Sequence, residues 1–189
     1  ALDQAKSTYC TTFARLCKEV YSARLEANDN VKNLKTMEKW VNKLNEDDFG
    51  NLSAIFKPLI HTLMLIWKHS KYYNTPSRLV ILVREMCNSI IDQAYRFISG
   101  EEIFNLIENE EANVAVDQLL LVLKVCGNFK NTYFNYKTKI ANECPQNPWS
   151  IQNGALFSRL DCFIERSHDI LDLTKTIIQF SKLAKVEIG

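Results

Sequence analysis

The sequence predicts an all-α fold, an elongated bundle of about seven antiparallel helices, and three observations carry that expectation. Only five glycines and four prolines punctuate 189 residues, and so few breakers favour long uninterrupted elements over short strands joined by turns. Apolar residues recur at spacings of three and four along most of the chain, the period that keeps one helix face toward a core. No alternating run competes, apart from "KVEI" near the end. Hydrophobic residues make up 47% and charged residues 24%, the balance of a folded chain rather than a disordered one. A chain of this length buries roughly 70% of its unfolded surface and needs no staples.

The elements follow in order. From Leu2 to about Ala27, the residues Tyr9, Phe13, Leu16 and Val20 step by four, three and four, which predicts a first helix with these side chains in the core. "ANDN" then predicts a break, with Asn28, Asp29 or Asn30 capping a second helix whose stripe is Val31, Leu34, Met37, Val41 and Leu44. After "NEDDFGN" a third helix runs from near Leu52 to Lys71 through Ile55, Phe56, Leu59, Leu63, Ile66 and Trp67, with Pro58 opening its main body or kinking it. Thr75 as N-cap and Pro76 at the first helical position start a fourth helix, with Leu79, Leu82, Val83, Met86, Ile90 and Ile91 facing inward. This corner is also where the chain would divide into sub-bundles, 1–74 and 75–189. Ser99 and "GEE" start a short fifth helix, its acids favourably placed at the positive end of the dipole. A sixth spans about Asn113 to Asn142, with Cys126, Phe129, Tyr133, Tyr136 and Ile140 as its later stripe. "ECPQNPWSIQNG", with two prolines, is the strongest loop signal. A seventh helix follows from about Ala155 to Leu183, with Leu156, Leu160, Phe163, Ile170, Ile177 and Phe180 inward.

Several function classes are excluded on chemical grounds. A net charge of +1 without a one-sign block lacks the footprint of a nucleic-acid binder. The purest apolar run, "LLLVL", is far short of the ~20 residues that cross a bilayer, so no membrane span is expected, and no secretory leader is visible. The chain begins without Met and stops on "KVEIG", so it reads as an excerpt of something longer. "CGNFKNT" has one glycine where a phosphate loop needs several. His61, His69 and His168 are scattered and no CxxC or HExxH is present, so no metal or other cofactor is expected. Ser167, His168 and Asp169 are consecutive on a helix and point about 100° apart, which prevents a proton relay. Carboxylate pairs such as Glu101 and Glu102 or Asp169 and Asp172 read as first-turn or exposed-face charges. Cys10 and Cys17 share a helix face about 10.5 Å apart, beyond the ~7 Å reach of a disulfide. Cys10, Cys17, Cys87, Cys126 and Cys162 fall in helical patterns, where cysteines are usually core, and the six are read as reduced thiols in a cytosolic compartment. The sequon at Asn51 does not change that reading.

The crowded stretch "WKHSKYYNTP" reads as a corner where two helices meet. Trp67 continues a buried stripe, and His69, Tyr72 and Tyr73 pack with their polar atoms turned to water or to helix ends. Lys130 and Lys137, seven apart, form a modest basic ridge suited to an acidic protein partner, beside the plainer reading of a solvated face.

Two segments on either side of that ridge, "LIHTLMLIWKHSKYYNTPSRLVILVREMCNSII" and "LFSRLDCFIERSHDILDLTKTIIQFSKLAKVEIG", with "VLKVCGNFKNTYFNYK" between them, resemble the N-terminal region 1 of dynein heavy chains, most closely those of cilia and flagella. The resemblance covers roughly Leu52 to Gly189; the first fifty residues match by helical character only. It implies a piece of an elongated tail of consecutive helical bundles, without the ring that hydrolyses ATP. It also implies partners, namely other heavy chains, intermediate and light chains and docking factors on doublet microtubules, and a place in the cytoskeleton of the axoneme. No catalytic residue is carried over. The polar faces expected to meet those partners are Lys130 and Lys137 on the sixth helix and Arg159, Glu165, Arg166 and Asp169 on the seventh. Two other classes compete: a free-standing secreted all-α signalling bundle, which requires disulfides, and an enzyme with a site assembled between helices.

Overall fold

The computed structural model describes residues 8–184. Among them are α1 (Thr8–Glu46), a 3-10 turn (Phe49–Asn51), α2 (Leu52–His69), α3 (Pro76–Phe97), α4 (Gly100–Glu108), α5 (Ala112–Glu143) and α6 (Asn153–Ala184), with no strand. The fold is all-helical, as the spacing predicts. The expected start at Leu2 and the "KVEI" run lie outside the described residues.

The count of seven needs correction, because the first two expected helices are one. "ANDN" does not interrupt α1, which runs for 39 residues, about 58 Å at 1.5 Å per residue. Asp29 is used across helices instead of as a cap. It accepts from the Ser70 hydroxyl and, at 3.4 Å, from the Lys71 backbone N–H. The Asn33 amide donates back to Asp29 at 3.0 Å to its carbonyl and 3.1 Å to its carboxylate. The cap residues at the other starts behave more as expected. Ser99 accepts from the Glu102 N–H at 3.1 Å. Pro76 opens α3, although the Thr75 side chain makes no cap bond. Pro58 sits inside α2 without ending it.

The five long helices close into a ring around one core: α1 packs on α2, α2 on α5, α5 on α6, α6 on α3, and α3 on α1, while the short α4 packs on α5. Partners across each seam give the directions. Asp29 with Ser70, together with the short joint from Glu46 to Leu52, makes α1 and α2 antiparallel. Lys130 with Asp161 and Lys137 with Asn153, rising on one helix as they fall on the other, do the same for α5 and α6. Between α2 and α5 the pairs Ser53–Asn128 and Lys68–Glu143 keep one sequence offset, 75, so these helices run parallel. Arg84 with Ala155 and Arg159 with Asn88 share an offset of 71 between α3 and α6, again parallel. Glu26 with Arg78 and Asn45 with Gln93 make α1 and α3 parallel as well. Antiparallel packing all round, the expected arrangement, is therefore corrected, for a topological reason: a closed ring with an odd number of helices cannot alternate at every contact.

The core is one contiguous cluster running across the 74/75 boundary. Phe56 meets Phe129 edge-on at 5.2 Å, Phe129 meets Phe157 at 6.4 Å, Phe157 meets Tyr133 at 5.2 Å, and Tyr133 stacks on Trp149 at 5.2 Å. Edge-to-face and offset arrangements of this kind add about 0.5–1.5 kcal/mol per pair beyond burial. Trp149 carries the proline-rich loop into the core, and the Trp67 indole N–H ties the same loop down by donating to the Asn147 carbonyl at 2.9 Å. At the neighbouring corner the Ser70 hydroxyl accepts from the N–H groups of Tyr72 and Tyr73 at 3.2 and 2.9 Å. Arg78 lies 5.0 Å over the Tyr73 ring while pairing with Glu26. The crowded stretch is a corner between helices in which Trp67 is buried and Tyr73 packs on the core, while His69, expected to pack, is exposed; the Ser70 hydroxyl and the Asp29 carboxylate turn the chain there.

The first expected stripe misses the core, as do Val31 of the second, 66% exposed, and part of the last. Tyr9, Phe13, Leu16 and Val20 are 85%, 67%, 53% and 60% exposed, because α2 and α3 reach α1 only from about Glu26 onward. Ile170 and Phe180 of α6 are also exposed; α6 outruns α3, and its inward positions there are Leu171 and Thr174. The segments Phe49–His69 and Ala112–Glu143 are long and apolar enough to cross a membrane by length and composition, which the short pure run did not reveal. Both are central helices of the ring, and their apolar residues meet in its core.

Phe129→Ala should destabilise the chain by about 3–5 kcal/mol, the range for deleting a buried aromatic. Phe13→Ala should stay within about 0.5 kcal/mol. Urea denaturation of both variants tests this, and equal losses would contradict the ring. Burial pushes the Cys87 and Cys126 thiols up to about 12, whereas Cys17 and Cys162 are exposed. An aromatic disulfide reagent at neutral pH should therefore titrate Cys17 and Cys162 in the folded segment 1–189 taken alone and reach Cys87 and Cys126 only after unfolding.

Candidate interaction surfaces

Residues that sequence reasoning tests for catalysis do not converge. Ser167 is buried and donates to the Phe163 carbonyl at 2.8 Å, while His168 and Asp169 are exposed on other faces of α6. Among the described residues, no group of three or more His, Cys, Asp or Glu side chains is placed to hold a metal ion. The cavities lie where helices diverge. One of about 190 Å³ lies between the α4–α5 turn and the end of α6, lined by Ile107, Ala112, Ile177 and Ser181 among others. Glu110 in that turn takes a left-handed φ of 62°, the conformation that lets the chain reverse between α4 and α5. A second, of about 140 Å³, is bounded by Ile98, Ile103, Leu119, Val122 and Phe163 and is almost wholly apolar. Among the described residues, four buried polar atoms have no partner, Asn30 Oδ1, Gln118 Oε1, Tyr133 Oη and Trp149 Nε1. The last two belong to the stacked core rings, where burial also pushes the Tyr133 phenol up.

The six residues expected at a partner interface fall into two groups. Lys130 pairs with Asp161 across the α5/α6 seam and lies 5.6 Å from the Phe157 ring centroid. Lys137 donates to the Ile151 carbonyl at 3.2 Å and to Asn153 Oδ1 at 2.9 Å, holding the loop before α6. Arg159 donates to Asn88 Oδ1 at 2.8 Å across the α3/α6 seam. These three knit helices of the chain to one another. Glu165, Arg166 and Asp169 are exposed on α6, next to Ile170, 39% exposed, and Leu173, 61% exposed. A mixed surface of charges and apolar side chains on a rigid helix suits a protein partner.

Sequence reasoning did not single out the polar pairs that set the ring's directions. Lys68 with Glu143 is one; their contact raises the lysine's pKa and lowers the carboxyl's, chiefly through the hydrogen bond between them. Nor did it find the groove formed by Lys57, Thr132, Asn135, Tyr136 and Lys139 on the outside of α2 and α5, about 370 Å³. Its residues come from helices 75 positions apart in register, and no local pattern reports that.

Comparison with known proteins connects these surfaces to a family. Residues 1–189 match the family described as dynein heavy chain, N-terminal region 1. The chain is 50% identical over its whole length to the dynein beta chain of the flagellar outer arm of Chlamydomonas reinhardtii. It is 34% identical to the ciliary dynein beta chain of Heliocidaris crassispina and 33% identical to dynein axonemal heavy chain 11 of Sus scrofa, again over 100% of the chain. It spans 4% of the length of each of these relatives. The matched region is the tail, outside the ATPase motor domains. A match covering every residue of an all-helical chain, with identity this high, places it: the protein belongs to the dynein heavy chain family, as its N-terminal region 1.

Proposed function

We propose that this segment is a structural and assembly part of the tail of a ciliary or flagellar dynein heavy chain, located in the axoneme. The observation that carries the reading is the 50% identity, across the whole chain, to a flagellar outer-arm beta chain. The ring geometry supports it. Five mutually packed helices make a stiff body able to transmit force, and the apolar interior is taken up by contacts between helices. The outer face of α6, with Glu165, Arg166 and Asp169 beside Ile170 and Leu173, is the surface offered to other heavy chains, intermediate or light chains, or docking factors on the doublet. Lys130, Lys137 and Arg159 act one step back, holding that face in place.

A secreted signalling bundle is not favoured. It requires a disulfide framework, and Cys17, Cys87, Cys126, Cys144 and Cys162 are free thiols. In the tail reading the segment needs no cofactor of its own.

Exchanging Arg166→Glu together with Asp169→Lys keeps an opposite-charge pair three residues apart on α6 while reversing both charges toward a partner. In the heavy chain this variant should weaken co-assembly with intermediate chains about tenfold, or about 1.4 kcal/mol, with unchanged helical circular dichroism. Wild-type assembly would remove the α6 face from consideration. ATP should leave the segment's melting temperature unchanged, since only a ligand that binds the folded state raises it; a saturable rise would overturn the cofactor-free reading.

A further inference from the structure

Along α1 one heptad register links two apolar stretches, passing through Ala23, Ala27 and Asn30 between them. Phe13, Leu16 and Val20 are followed, two heptads beyond Val20, by Leu34, then by Met37, Val41 and Leu44. In the second half this seam is the α1/α2 interface, with Met37 and Leu44 buried and Leu34 and Val41 packed on the core. In the first half every residue from 11 to 25 is exposed. The cause is geometric: α2 ends at His69 and α3 begins at Pro76, and the last cross-links are Asp29 with Ser70 and Glu26 with Arg78. The seam thus continues past the end of its partner for about two heptads. A lone helix of that length is marginal in water, and an uncovered heptad seam is the geometry of a half-built coiled coil.

Resting on the tail reading above, we propose that another helix of the same heavy chain, from outside residues 1–189, lies on Phe13, Leu16 and Val20 in line with α2. Three features choose this occupant. The first is continuity, since the register leads straight from an interface already formed within the chain. The second is charge. The seam's flanks carry Thr12, Cys17, Glu19 and Arg24, one charge of each sign, so the site presents no one-sign field that would select an acidic or a basic partner over an apolar stripe. The third is size. Phe13 buries roughly 150–250 Å² as an aromatic. With Leu16 and Val20 the seam stays well under the roughly 800 Å² per partner of a stable association between separate molecules. A helix tethered in the same polypeptide has an effective concentration in the millimolar range, and a chain of which this segment is 4% in its relatives has ample length to supply it.

The test uses the intact heavy chain purified without accessory subunits, with maleimide labelling of Cys17, an exposed thiol flanking the seam. Labelling should be at least tenfold slower than in the Leu16→Asp variant, and the slow rate should not change on dilution. Equally fast labelling of both proteins would overturn the proposal. Protection that disappears on dilution would assign the seam to a second copy, and protection that arises only after intermediate or light chains are added would assign it to them; either result overturns the same-chain occupant. Co-assembly with intermediate chains, scored in parallel, separates this outcome from the tail reading. Fast labelling with normal assembly removes the occupant alone, whereas lost assembly partners with intact protection count against the proposed function alone.

Discussion

Closing five long helices on one another is the constraint from which the other features of this molecule follow. A ring with an odd number of members cannot be antiparallel at every contact, so some neighbours must run the same way. Here α2 with α5, α3 with α6, and α1 with α3 do so. Helices that run parallel cannot be joined by a short turn, which is why these three seams join helices that are not consecutive in the chain. The proline-rich loop joins two antiparallel helices and is long for a different reason, since it carries Trp149 back under Tyr133 before α6 starts. Polar pairs then hold the registers: Lys68 with Glu143, Lys130 with Asp161, Arg159 with Asn88. Exposed ion pairs contribute little stability, about 0–1 kcal/mol each, so the aromatic core supplies the energy while these pairs help define the alignment.

Much of the helix content was legible, and the reason is local. The stripe of α2 through Phe56, Leu59, Leu63 and Trp67 is buried throughout, as its period requires. Pro76 and Ser99 mark helix starts because their chemistry acts within one turn. The errors share a different cause. "ANDN" looks like a cap because Asn and Asp are cap residues, yet Asp29 finds its partners 41 and 42 residues away, and no local signal distinguishes the two uses. Phe13, Leu16 and Val20 have the period of a core face, but period reports that a face is apolar and says nothing of which element covers it.

The same distinction governs the candidate surface. Lys130, Lys137, Arg159, Glu165, Arg166 and Asp169 all look alike as charged residues on helix faces. The fold divides them, because three reach across seams to Asp161, Asn153 and Asn88 and three stand clear on α6. The seam partners are assembled by the ring, so their roles depend on which helices meet. An account of tail assembly therefore separates residues that shape the surface from residues that present it.

The parallel contact between α2 and α5 is the most direct consequence of the ring. It can be measured by electron–electron dipolar spectroscopy, with nitroxides at the exposed positions Ala54 and Asn131 in one sample and His69 and Asn142 in another. The ring predicts short and similar distances for both pairs, since each joins neighbouring levels of the two helices. An antiparallel contact would separate both pairs by roughly an additional 20 Å along the axis, the rise of about fourteen residues, and that result would contradict the arrangement.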